Sequence, residues 1–256
     1  MRAALIELGF VDCYHMFSII EENPKDADLW VEAFEAKFQG KGKLWGREEF
    51  DQVLGHCMVF SFPTTLKIWA HIFKAVTDWP CATFVDELIA AYPDAKVILT
   101  VRDNVEVWHK SVTETLWTGH FVFAPPETSF QAFIQKIIPK PEGFLMPKML
   151  YKHTLLKNHP EEGREGYLKH NEHVSAVAPK GRFLEFNVRD GWRPLCKFLE
   201  VEIPEGLFPK VNDTETWKAY VRKSKKDAAL KLVGSVLMAL GCIGSVGVAY
   251  WLVLGR

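Results

Sequence analysis

The chain has 256 residues, of which 48% are apolar, and its formal net charge at pH 7 is -1. This length suits one sizeable domain or two small ones, and the near-neutral charge gives no support for a nucleic-acid partner. The five cysteines show no CxxC spacing, so we expect reduced thiols in a cytosolic protein rather than a disulfide framework.

The first part of the chain predicts short helices. Residues 1–9 are typical of an amphipathic helix closed by Gly9, and their apolar part is too short for a signal peptide. Residues 10–16 predict a short strand or a turn. Apolar residues at helical spacing predict helices over 25–38 and Arg47–Leu54. Residues 58–74 have neither a helical nor a strand period and are left without an assignment.

Asp78 stands two residues before Pro80, at the predicted start of a helix that runs to about Ala91. Aspartate is a preferred N-cap residue, and proline is tolerated in the first helical turn. The local pattern therefore predicts that Asp78 caps this helix.

A β-branched run over Val97–Val101 predicts a strand that is buried on both sides, as in a parallel sheet. Arg102 follows it directly, and a polar turn then leads into a predicted helix that carries Ser111. An arginine at the carboxyl end of a strand, with a hydroxyl beyond it, suits an anion. An ordinary ion pair of Arg102 with Asp103 or Glu106 remains open as the alternative.

The second half of the chain alternates predicted helices and strands. Residues 113–159 are rich in aromatic residues and prolines and predict the helical pieces of a cap over a site. Beyond them we predict a helix over 162–177, a strand over 182–186, a helix over 192–200 and an extended tail. Strands separated by helices indicate an α/β domain with a parallel sheet.

The C-terminal stretch from Leu232 to Leu254 contains no charged residue. At about 1.5 Å per residue, a helix of this length would cross the roughly 30 Å hydrocarbon layer of a bilayer. The basic stretch at 216–231 precedes it, and positive charge is enriched on the cytoplasmic side of a span. We therefore expect a single C-terminal transmembrane helix that anchors a domain facing the cytoplasm.

The sequence contains neither GxxxxGK[ST] nor GxGxxG nor GxSxG. These absences count against a nucleoside triphosphatase, a dinucleotide-dependent dehydrogenase and an α/β-hydrolase. His170 and His173 are the only histidine pair at ligand spacing, and no third ligand is evident, so we expect no metal. No partner is evident for the remaining histidines, which are His15, His56, His71, His109, His120, His153 and His159.

Three segments together resemble one family. They are AVTDWP with ELIAAYPDAKVIL, KVILTVRD with VWHKSV, and FLEFNVRDGWRPLCKFLEVEIPEGLFPKVND. These segments are similar to those of sulfotransferases that use 3′-phosphoadenosine 5′-phosphosulfate, and to fungal sulfotransferase-like proteins in particular. The resemblance covers most of residues 1–57 and 75–215.

The resemblance implies a P-loop-type α/β fold with a parallel sheet flanked by helices. It implies transfer of a sulfuryl group from that donor to a hydroxyl or amine of a small acceptor. Arg102 and Ser111 would hold the donor's 3′-phosphate, although their spacing is one residue longer than in the family. Asp78 stands where well-studied members have a histidine in a His-x-Pro segment, so the resemblance implies that Asp78 is the general base. No metal is implied.

Two departures from the family pattern stand out. The segment from Met1 resembles the helix that follows the phosphosulfate-binding loop, so we expect the first strand and that loop to be missing. Residues 58–74 also interrupt a segment that is continuous in the family. We interpret both as gene-model artefacts and expect impaired activity.

The expected organisation is a sulfotransferase-like domain over 1–215 with an atypical insertion at 58–74, a basic linker over 216–231 and a transmembrane helix over 232–254. The alternative function is a membrane-anchored, non-catalytic binding or scaffold protein. A weaker alternative is an NAD-dependent epimerase or dehydratase.

Overall fold

The computed structural model of the chain describes residues 1–55, 73–117, 149, 152–154 and 160–209, together with a few positions between 218 and 234. The chain divides into two compact units, one formed by Met1–Thr118 with Glu142–Val211 and the other by Gly119–Pro141 with Asn212–Arg256. All the elements below belong to the first unit. Most of the predicted insertion at 58–74 and of the predicted cap at 113–159 lies outside the described residues.

The described part of the first unit contains most of the predicted helices and strands, together with a strand over Phe73–Val76 that was not predicted. The helices are α1 (Arg2–Glu7), α2 (Asp26–Gln39), α3 (Arg47–Leu54), α4 (Val85–Ala91), α5 (Val105–Val112), α6 (Gly163–Val177) and α7 (Trp192–Leu199). The strands are β1 (Phe10–Tyr14), β2 (Phe73–Val76), β3 (Val97–Val101) and β4 (Phe183–Asn187). The mixed α/β class is therefore confirmed.

The strands form two small parallel sheets. β1 pairs with β2, with Tyr14 opposite Val76, and β3 pairs with β4, with Val101 opposite Asn187. Both pairs are parallel, as predicted, but the described strands form two two-stranded sheets instead of one.

The prediction that β3 is buried on both sides is wrong. Leu99 is its one buried residue and Thr100 is exposed. The physical reason is that β3 has a single paired neighbour among the described strands, so within the described part of the chain it lies in a two-stranded sheet rather than at the centre of a larger one.

Helix α1 contributes to the cores on both sheets. Ala4 packs in a buried cluster with Phe186 of β4 and Leu195 of α7, while Leu5 packs with Phe10 of β1. Burying a large apolar side chain stabilises a fold by about 1.5–3 kcal/mol. Helix α1 therefore packs against both sheets through its apolar side chains.

An aromatic core lies beneath the end of β1. Trp30 of α2 is fully buried, and its ring centroid lies 5.4 Å from that of Phe84 and 6.2 Å from that of Phe50. The Tyr14 hydroxyl donates to the buried Asp26 at 3.0 Å and accepts from Trp30 Nε1 at 2.8 Å. Burial raises the pKa of Tyr14, so the phenol stays protonated and remains a donor. This network fixes the last residue of β1.

No helix in the described part of the chain is long and apolar enough to span a membrane. Apart from Val233 and Gly234, the stretch from Leu232 to Leu254 lies outside the described residues, so the transmembrane helix stays a prediction. Three cysteines, Cys13, Cys81 and Cys196, are buried, and none forms a disulfide bond with another described residue.

Candidate active site

The predicted site residues Asp78 and Arg102 lie at the carboxyl ends of parallel strands. Asp78 comes two residues after β2, and Arg102 comes directly after β3. In parallel α/β sheets, ligands bind outside the carboxyl ends of the strands. The topology therefore places both residues where this architecture carries binding sites.

Asp78 does not cap a helix, so that prediction is wrong. The N-cap of α4 is Phe84, and the short turn over Cys81–Thr83 is preceded by Pro80. Asp78 instead occupies the left-handed region with φ of 64°, and its carbonyl accepts the Ala82 N–H at 2.9 Å. The tight turn after β2 takes the carboxylate away from the helix start.

The Asp78 carboxylate faces a histidine that the sequence did not single out. His15 Nε2 lies 3.4 Å from Asp78 Oδ2. The His15 Nδ1 atom accepts the Phe17 N–H at 3.2 Å, and the imidazole stacks on the Phe17 ring with centroids 5.5 Å apart. No sequence signal pointed to this pair, because the strand before Asp78 was not predicted and parallel pairing alone brings the two positions together.

Hydrogen bonds beyond the strands hold this arrangement. The Thr77 N–H donates to the Tyr14 carbonyl at 2.8 Å, and the Thr77 hydroxyl donates to the same oxygen at 3.3 Å. The parallel ladder thus extends past Val76 to the residue before Asp78. The two turns that carry His15 and Asp78 therefore leave the sheet side by side.

Arg102 is exposed, and its acidic neighbours are occupied by other arginines. Asp103 pairs with Arg189, while Glu106 accepts from Arg164 Nε at 2.6 Å and from Arg164 Nη2 at 2.8 Å. The Arg164 hydrogen bonds lower the pKa of Glu106, which keeps this carboxylate ionised. The Arg102 guanidinium forms no ion pair with any described residue, so the interpretation of Arg102 as an ordinary loop ion pair is wrong.

The backbone of Arg102 is held by a tyrosine from the predicted helix over 162–177. The Arg102 N–H donates to the Tyr167 hydroxyl at 3.0 Å. Tyr167 lies on α6, is 7% exposed and stacks on Trp108 of α5 with ring centroids 4.6 Å apart. The turn between β3 and α5 is thereby fixed against α6.

Ser111 lies in the last turn of α5 and is half-buried. Helix α5 begins beside Arg102, where the Asn104 side chain caps it by accepting the Val107 N–H at 3.0 Å. At about 1.5 Å per residue, Ser111 is roughly 9 Å along the axis from Val105. No hydrogen bond joins Ser111 to Arg102 in the described structure, so its phosphate-binding role stays a prediction.

No group of three or more potential metal-ligating side chains occurs among the described residues. His173 Nε2 lies 2.9 Å from both carboxylate oxygens of Asp86, on the surface between α4 and α6. Burial lowers the pKa of His170, the other member of the pair at ligand spacing. Of the remaining histidines, His109 is buried, with Nε2 at 2.8 Å from the Pro160 carbonyl.

Comparison with known proteins gives two matches. A family profile described as a sulfotransferase domain matches residues 1–217. The chain is also similar to a protein from Aspergillus versicolor called Ava biosynthesis cluster protein M. The alignment of the two is 256 residues long and 31% identical. It covers 93% of this chain and 87% of the fungal protein.

Proposed function

The chain belongs to the sulfotransferase domain family, and from this premise we propose that it transfers a sulfuryl group from 3′-phosphoadenosine 5′-phosphosulfate to a small acceptor. The single observation that carries the donor assignment is the guanidinium of Arg102 at the carboxyl end of β3, which is exposed and has no ion pair with any described residue. The neighbouring arginines, Arg164 and Arg189, both pair with carboxylates. Arg102 is the one of these three that suits a phosphate.

In the proposed complex, Arg102 binds the donor's 3′-phosphate through two parallel N–H donors. A guanidinium fork matches phosphate geometry, and hydrogen bonds to charged groups are about twice as strong as neutral ones. Ser111 is the proposed hydroxyl donor to the same phosphate. Tyr167 keeps the backbone of Arg102 in place and leaves its side chain free.

Asp78 is the proposed general base. The acceptor's oxygen or nitrogen forms a bond to sulfur while the bond between sulfur and the donor's 5′-phosphate oxygen breaks. That oxygen leaves with the electron pair, as 3′-phosphoadenosine 5′-phosphate, and the acceptor's proton passes to the Asp78 carboxylate. A positioned base contributes typically about 10²–10⁴-fold to such a step.

The acceptor is proposed to be a small molecule with a hydroxyl or an amine. The fungal relative is named for a biosynthesis cluster, and a small-molecule acceptor is in keeping with that name. Any nucleophile of this type would deliver its proton to a carboxylate that is open to solvent, as Asp78 is.

A non-catalytic binding protein is the second candidate. One observation favours it, namely that the described strands form two separate sheets rather than one. Such a protein would bind the nucleotide without transferring sulfate.

Transfer of radiolabelled sulfate distinguishes the two candidates. The purified chain is incubated with labelled donor and three acceptor probes, namely 2-naphthol, an aliphatic alcohol and a primary amine. Labelled product above the level of a heat-denatured control, with at least one probe, is the expected result. Binding of 3′-phosphoadenosine 5′-phosphate without any product would contradict the transferase proposal and support the second candidate.

A further inference from the structure

We propose that His15 is the positioning residue for Asp78 and holds the carboxylate in place at the carboxyl end of β2. The catalytic part of this inference rests on the proposed function, whereas the pairing itself rests on the geometry. His15 Nε2 lies 3.4 Å from Asp78 Oδ2, and the two residues are 63 positions apart in the chain.

The orientation of the imidazole decides which member of the pair reacts. Nδ1 accepts the Phe17 N–H at 3.2 Å, so the proton of a neutral ring lies on Nε2, which is the nitrogen 3.4 Å from Asp78 Oδ2. A backbone donor occupies Nδ1, and Nε2 is the nitrogen that lies beside the carboxylate.

Exposure leads to the same assignment. The His15 side chain is 18% exposed and stacks on Phe17, whereas the Asp78 side chain is 43% exposed. The group that solvent, and hence an acceptor, can reach is the carboxylate. His15 supports Asp78 from the protein side.

The backbone shows that the position of Asp78 is held rather than incidental. Its φ of 64° is uncommon for a residue other than glycine. Backbone hydrogen bonds on both sides fix the turn, from Thr77 N–H to Tyr14 and from Ala82 N–H to the Asp78 carbonyl. A sparsely populated conformation that the surroundings over-determine is typical of functional sites.

Nuclear magnetic resonance of the histidine ring nitrogens in the intact chain tests the pairing without any activity. We expect the neutral His15 ring to carry its proton on Nε2. In Asp78→Asn the pH midpoint of the His15 ring should fall by roughly half a unit or more, because a carboxylate within about 4–6 Å favours the charged imidazole.

The His173–Asp86 pair provides a matched control on another surface of the protein. Asp86→Asn removes a carboxylate from that pair and should leave the midpoint of His15 unchanged, which shows that the effect of Asp78→Asn is local. A proton on Nδ1 of His15, or a midpoint that Asp78→Asn does not move, would overturn the proposal.

Kinetics test the catalytic part, with 2-naphthol as the acceptor probe. His15→Ala should lower kcat about 10-fold or more with little change in the KM for the donor, and His15→Gln, which keeps an N–H donor, should recover part of the loss. An unchanged kcat in His15→Ala would refute the positioning role. If the chain transfers no sulfate at all, the proposed function fails, and the resonance experiment still decides whether His15 positions Asp78.

Discussion

Arg102 differs from the two neighbouring arginines because it forms no ion pair with a described carboxylate. Arg164 forms a bidentate pair with Glu106, and Arg189 pairs with Asp103. An exposed ion pair contributes only about 0–1 kcal/mol to stability. These ion pairs therefore matter less for stability than for the site. They occupy the nearby carboxylates, so that the Arg102 guanidinium at the end of β3 has no ion pair with any described residue.

At the same scale, Asp78→Asn tests the general base. The amide cannot take the acceptor's proton, so kcat for sulfate transfer should fall about 10²–10⁴-fold. The thermal midpoint should change little, because the side chain is exposed and caps no helix. Asp86→Asn is the matched control and should leave kcat unchanged; retained transfer in Asp78→Asn would remove Asp78 from the mechanism.

Tyr167→Phe tests the support of Arg102. The change deletes the hydroxyl that accepts the Arg102 N–H and keeps the ring stacked on Trp108. The net loss of one hydrogen bond should lower the free energy of unfolding by about 1 kcal/mol in urea titrations. The affinity for 3′-phosphoadenosine 5′-phosphate should also fall, since the turn that carries Arg102 loses its link to α6. Unchanged affinity would show that this link does not matter for binding.

At the scale of elements, the buried hydroxyl of Tyr14 joins β1 to α2. Tyr14→Phe leaves the buried Asp26 carboxylate and the Trp30 indole N–H without this partner. We expect a loss of about 2–3 kcal/mol in the free energy of unfolding, because leaving buried polar groups unsatisfied costs about 1–3 kcal/mol each. Tyr92→Phe removes a half-buried hydroxyl that donates to Asp51 at 2.7 Å and serves as the control. A similar loss in the free energy of unfolding for both variants would show that burial of the Tyr14 hydroxyl does not increase its contribution to stability.

The start of α3 gives a prediction about pH. Hydrogen bonds from Lys43 and from the Gly46 N–H lower the pKa of Glu49 to about 2. Because the pKa of Glu49 in the folded chain is below its unfolded value of 4.5, the stabilisation is present above pH 4.5 and is lost as the pH falls towards 2. The stability advantage of the native chain over Glu49→Gln should therefore shrink across this range in urea titrations. An advantage that is constant with pH would refute the assignment.

At the scale of the whole molecule, local patterns predicted most of the elements and long-range pairing explains what they missed. The apolar periods of α2 and α3 and the β-branched run of β3 are local signals, and these elements lie where the sequence indicated. The pairing of His15 with Asp78 depends on strand register across 63 positions, which no local pattern encodes. The predicted helix cap at Asp78 failed for the same reason, because the turn after β2 is set by its bonds to β1.

The division into two sheets also depends on long-range contacts. The sequence predicted parallel strands but could not show which strands pair or where a sheet ends. Helix α1, with Ala4 facing one core and Leu5 the other, connects the two sheets. The candidate site therefore depends on residues from separate sheets that the same unit carries.

The central claim is that Arg102 recognises the donor's 3′-phosphate, and titration calorimetry with two nucleotides tests it most directly. 3′-Phosphoadenosine 5′-phosphate and adenosine 5′-phosphate differ only in that phosphate, so the ratio of their affinities isolates it from every other contact. Since hydrogen bonds to charged groups contribute about 1.5–3 kcal/mol, the chain should prefer the bisphosphate roughly 10- to 100-fold. Arg102→Ala should lose most of this preference and Arg164→Ala should keep it. Equal affinities in the native chain, or an undiminished preference in Arg102→Ala, would contradict the claim.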